Sequence, residues 1–80
     1  MKLIHIKDGE FKIFIMPHRE FDGTRKYAFA MCLSGRAQFW LEPEVELSKE
    51  FKNSMSEEKC NEALALVQKH SEELIGAWLS

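Results

Sequence analysis

Apolar residues recur every three or four positions through the last third of the chain, at Cys60, Ala63, Leu64, Val67, Leu74 and Trp78, with Ser71 in the slot between Val67 and Leu74. That period puts them on one stripe of a 3.6-residue helix and predicts a single long amphipathic helix over 56–78. Ser56 followed by Glu57 and Glu58 has the chemistry of its start. The hydroxyl accepts from an orphan amide, and the carboxylates favour the positive end of the dipole. Ser54 with Glu57 offers a competing capping-box register, and Gly76 weakens the last turn. A one-sided helix needs a surface to cover.

Upstream, the pattern shortens to alternation. Residues 2–6 predict a first strand, Asp8-Gly9 a hairpin turn, and 11–16 a second strand. Phe11, Ile13 and Ile15 point to one face and Lys12, Phe14 and Met16 to the other, so this strand is expected to be central or covered on both sides. Pro17 ends it, because proline cannot donate to a ladder. The polar run 18–25 predicts a surface loop, with Phe21 tucked back onto the core.

Residues 26–33 predict a third strand with Tyr27, Phe29, Met31 and Leu33 on a bulky face and Ala28, Ala30 and Cys32 on a small one. Small residues let a helix approach closely; bulky ones fill the space beneath another element. The pattern leaves open which face meets the helix. Ser34-Gly35 predicts a second tight turn and 36–41 a fourth strand, which Glu42-Pro43-Glu44 breaks. Val45 and Leu47 suit a short edge segment or an anchoring loop, and 48–53 one helical turn with Phe51 inward. The expected fold is a single α+β domain over 1–80: a four-stranded, mainly antiparallel sheet with one long C-terminal helix packed on one face.

Composition agrees with a folded domain. Eighty residues, 45% hydrophobic and 30% charged, lie near the lower size at which one core suffices, and nine aromatics, six of them Phe, supply bulk. The net charge of −2 is unevenly spread. Residues 1–41 hold seven cations and four acids, and 42–80 hold four cations and nine acids, which predicts a mildly basic sheet and an acidic helix. Cys32 and Cys60 lie in apolar contexts without Cys-x-x-Cys spacing and read as two buried free thiols of a cytoplasmic protein, the alternative being a strand–helix disulfide that needs an oxidising compartment. Early charge at Lys2 and Lys7 argues against a signal peptide, and no apolar run nears the roughly 20 residues that span a bilayer.

Candidate chemistry is sparse. His5, His18 and His70 show no ligand spacing, so no metal site is expected. Neither cysteine has the electropositive setting of a nucleophile. Glu57/Glu58 and Glu72/Glu73 are adjacent on a helix, do not face each other, and read as solvated. No catalytic residue and no cofactor is expected. The one arrangement with functional pull is basic and aromatic: Arg19, Phe21, Arg25, Lys26 and Arg36, accompanied by Tyr27 and Trp40, a set suited to gripping phosphates and stacking bases of single-stranded RNA. Against it stands the reading that the rings are core and the cations keep a sheet edge soluble.

Two segments resemble a known family. Ala37-Gln38-Phe39-Trp40-Leu41-Glu42-Pro43 is similar to the Ala-x-Phe-Trp-Leu-Glu-Pro segment of the small prokaryotic family called domain of unknown function 4160. The run from Ser56-Glu57-Glu58-Lys59-Cys60 through His70, Glu72, Glu73, Leu74, Ala77 and Trp78 resembles the helix that ends that domain, and the order of elements is alike. The resemblance implies a compact α+β domain of unassigned activity, often encoded beside another small domain in the manner of toxin–antitoxin pairs. Many members carry Pro-Pro-His-x-His at the start of the third strand. Tyr27 and Phe29 stand roughly where those histidines would fall, so imidazole chemistry is not implied here. The expected function is a cytoplasmic, non-enzymatic protein-interaction component of a two-gene module with a partner encoded nearby. The alternative is an RNA-binding, toxin-like protein using the basic cluster.

Overall fold

A computed structural model describes residues 3–15 and 25–80. The alternating stretches form β1 (Ile4–Asp8), β2 (Phe11–Ile15), β3 (Tyr27–Cys32), β4 (Gly35–Trp40) and β5 (Glu46–Leu47), followed by α1 (Glu57–Lys69) and α2 (Ser71–Leu79). The strands make one antiparallel sheet in the order β1-β2-β3-β4-β5. Register assigns the faces. Ile6 lies opposite Ile13, Ile13 opposite Ala30, Ala30 opposite Ala37, Ala28 opposite Phe39, and Phe39 opposite Leu47. This row is the core side, so the small face of β3 is the one that meets the helices. Ile13, Ala28, Ala30, Ala37, Phe39, Ala63, Val67 and Leu74 are fully excluded from solvent there.

The architecture departs from expectation in two respects. The sheet has five strands rather than four, because residues 46–47 of the segment expected to be an edge or an anchor pair with Phe39 and Trp40. The helix is two helices rather than one. Its polar stretch Gln68-Lys69-His70-Ser71 carries no apolar group for the core, and His70 (φ −101°, ψ 11°) closes α1 and opens α2. The bend lets α1 bury Cys60, Ala63 and Val67 and α2 bury Leu74 and Ala77.

Local chemistry explains the boundaries. Ser56 is the N-cap, its side chain accepting from the Lys59 amide at 3.2 Å. Ser54 does other work: its Oγ accepts from the Arg36 amide at 3.0 Å and its own amide donates to the Arg36 carbonyl at 2.9 Å. The first turn falls one residue later than Asp8-Gly9. Asp8 pairs with Phe11, and Gly9-Glu10 form a two-residue loop with Gly9 at φ 60°, which needs a residue without Cβ. Residues 48–53 form no helical turn. The chain runs beside β4, Ser48 donating to the Gln38 carbonyl at 2.9 Å, and swings Phe51 onto the far face of the sheet against Phe29. Met55, not Phe51, reaches the core. Leu33 belongs to the second turn and is solvated rather than part of the bulky face of β3.

Charged tethers fasten the β1–β2 turn to the helices. Lys59 reaches Glu10 at 2.8 Å, while Lys69 and His70 both reach Asp8, at 3.1 and 2.9 Å. Glu10, then Glu62, hold the Lys59 ammonium above the usual lysine range. The His70 hydrogen bond, then that of Lys69, holds the Asp8 carboxyl below its ordinary value of 3.8. A depressed carboxylate stabilises the fold fully above its unfolded value, and that contribution disappears as pH falls through the lower folded value. Urea midpoints compared at about pH 6 and about pH 3 should therefore separate the wild type from Asp8→Asn at the higher pH, with the gap narrowing at the lower. An equal gap at both would remove the tether from the account.

Candidate functional site

The sheet face turned away from the helices is covered, among the described residues, by Phe51 and its neighbours and, at Tyr27, by Trp78 of α2. Two parallel cross-strand rows organise it. In the first, His5 lies opposite Phe14 and Phe14 opposite Phe29. Their rings form a ladder with centroids 5.6 and 5.5 Å apart and interplanar angles of 13° and 25°. Phe51 closes its inner end edge-on at 5.3 Å, and at the outer end the His5 ring is exposed. In the second row, two residues along, Lys7 lies opposite Lys12, Lys12 opposite Met31, and Met31 opposite Arg36. All four are exposed, and the three cations have no ion-pair partner among the described residues.

The other end of the face is closed. Tyr27 packs edge-on against Phe29, Trp40 and Trp78, and the Trp78 indole donates to the Tyr27 carbonyl at 2.7 Å. The Arg25 guanidinium lies 4.5 Å from the Trp40 ring centre, pairs with Glu46, and donates through Nε to the Glu42 carbonyl at 2.9 Å. Lys26 pairs with Glu42 at 3.3 Å.

Of the basic set expected from sequence, Arg25 and Lys26 lie at the closed end and Arg36 at the open one. Arg19 and Phe21 lie outside the described residues, as does His18. Arg25 and Lys26 are neutralised by acids from the β4–β5 connection and from β5. Arg36 stands four residues along β4 from Trp40, about 13 Å at 3.3 Å per residue. The free cations that join Arg36 are Lys7 and Lys12, which sequence reasoning passed over. The turn expected at Asp8-Gly9 hid them; the observed two-residue turn at Gly9-Glu10 sets Lys7 and Lys12 in register.

The two sheet edges differ. β1 pairs with β2 on one side and with no described strand on the other. The edge beyond β5 is two residues long, and the chain after it returns along β4 through Ser48 and Ser54. Beside β1, Leu3 is 60% exposed and Ile4 and Ile6 are half-buried.

Reactive groups are few. Cys32 and Cys60 are free thiols, and burial, then Cys32 and Glu57, push the Cys60 thiol up, away from the nucleophilic thiolate. Among the described residues no three His, Cys, Asp or Glu side chains are grouped to hold a metal, and no helix is long and apolar enough to cross a membrane. Glu57, Glu58, Glu72 and Glu73 are exposed on the helices. No protein-family model, curated protein or solved structure matches the chain.

Proposed function

We propose that this chain is a non-enzymatic protein-interaction domain of a two-gene, toxin–antitoxin-like module, and that it receives a strand of its protein partner along the outer edge of β1. The observation that carries this reading is the asymmetry of the sheet: one edge is blunted, and the other leaves the backbone of Ile4–Asp8 without a second neighbour among the described residues. An open edge supplies main-chain hydrogen bonds to an added strand, and pockets beside it supply specificity. Leu3, Ile4 and Ile6 offer apolar surface that such a strand would cover. Lys7 at the edge discourages pairing with a second copy and favours a strand with an acidic residue opposite it. The resemblance of 37–43 and 56–78 to domain of unknown function 4160 supports a partner encoded next door.

The test is co-expression with the neighbouring open reading frame, capture of the complex, and hydrogen exchange on it. Capture is expected, with added protection of the 4–8 amides, and Leu3→Asp plus Lys7→Glu should reduce it at least tenfold. Absence of a captured protein would defeat the functional reading. A complex that leaves the β1 amides unprotected would defeat the edge as its site.

A further inference from the structure

We infer that the open sheet face is a binding surface for single-stranded nucleic acid, with bases stacking onto the His5–Phe14–Phe29 ladder and phosphates held by Lys7, Lys12 and Arg36. The inference does not depend on the β1 edge reading and concerns a different surface; His5 and Lys7, both in β1, border both.

Three observations converge. Lys7 and Lys12 are like charges placed directly across a strand pair, an arrangement that weakens a sheet, and no described acid offsets them. With Arg36 they make a row of positive charge crossing four strands, about 14 Å at roughly 4.8 Å per strand. No described acid is drawn to that row; an anionic chain lying along it would be.

The aromatic row runs parallel to it, two residues away, which is about 6.7 Å along the strands. That separation suits a polymer whose flat groups hang from an anionic backbone. The ladder is closed by Phe51 inside and open at His5, so a base laid on the exposed imidazole continues a stack already begun. Stacking on rings beside a cationic track is how single strands are held without base-edge readout. Unpaired bases are required, because those of a duplex are occupied in their own stack. Arg25 and Lys26, committed to Glu46 and Glu42, set the limit of the surface.

The experiment is fluorescence anisotropy on the full chain with labelled eight-nucleotide RNA and DNA of oligo-A and oligo-U or oligo-T, from about 50 to 200 mM salt. Binding is expected with log K falling against log salt at a slope near −2, since each of three phosphates contributes about −0.7. Lys12→Glu should weaken binding about tenfold and flatten that slope, and its thermal midpoint should be no lower than wild type because a like-charge pair is removed. His5→Ala should weaken binding several-fold with the slope unchanged. Comparison of the RNA and DNA arms tells whether the 2′-hydroxyl is read. Absence of binding at low salt, or binding indifferent to Lys12→Glu and Arg36→Glu, overturns the inference. If no oligonucleotide binds and a captured protein partner instead shields Phe14 and Phe29, the face is a protein surface; the β1 edge reading is then judged by its own hydrogen-exchange result.

Discussion

Phe39→Ala is expected to destabilise the fold by about 3–5 kcal/mol, the range for deleting a large ring from a packed core. Phe39 has no solvent exposure and is the largest fully buried side chain among the described residues. Across the sheet it faces Ala28 on one side and Leu47 on the other, so the strand pairs β3–β4 and β4–β5 both close on its ring. A domain of this length holds roughly 4–12 kcal/mol in total, and the substitution therefore removes much of it. Urea denaturation should show the midpoint lowered by about 2 M at a typical slope, while Phe39→Leu, which retains most of the volume, should cost less than about 1.5 kcal/mol. A shift below about 0.5 M for the alanine variant would mean that the core can collapse around the hole.

Gly35→Ala is expected to be nearly as damaging, through backbone rather than packing. Gly35 sits at φ 151°, and an added methyl would lie 2.5 Å from the Ser54 carbonyl oxygen and 2.7 Å from its hydroxyl. Ser54 cannot yield cheaply, because it is bonded through both its amide and its side chain to Arg36. The strained backbone costs about 1–3 kcal/mol, and each hydrogen bond lost in relieving the clash costs about 0.5–1.5 more. A fall of roughly 12 °C or more in the melting temperature follows from a total near 3 kcal/mol. Gly76→Ala is the control: nothing lies within 4 Å of its added methyl in α2, so it should gain up to about 1 kcal/mol. Equal melting temperatures for the two variants would contradict the assigned path of 48–54 beside β4.

Period and turn chemistry made most of the architecture legible. The alternation in Phe11–Ile15 and Tyr27–Cys32 marks strands because each face of a pleat meets one environment. Ser56 with two following acids marks a helix start because the chemistry of capping is local. What escaped reading depends on partners distant in the chain. The break at His70 involves Asp8, 62 residues away, and β5 exists because Phe39 and Trp40 are beside it. The setting of the cations is hidden for the same reason. Arg25 and Lys26 look like a pair of free cations until Glu42 and Glu46 are folded against them. Lys7 and Lys12 look unremarkable until the hairpin sets them side by side.

The inequality of the two sheet rims has a consequence for assembly. Endless stacking of sheets into a filament requires every subunit to offer a donor rim and an acceptor rim. Here the β5 rim is two residues long, so among the described residues growth through β1 uses the longer rim and leaves a poor one for a further addition. At high concentration the chain should form discrete complexes rather than fibres.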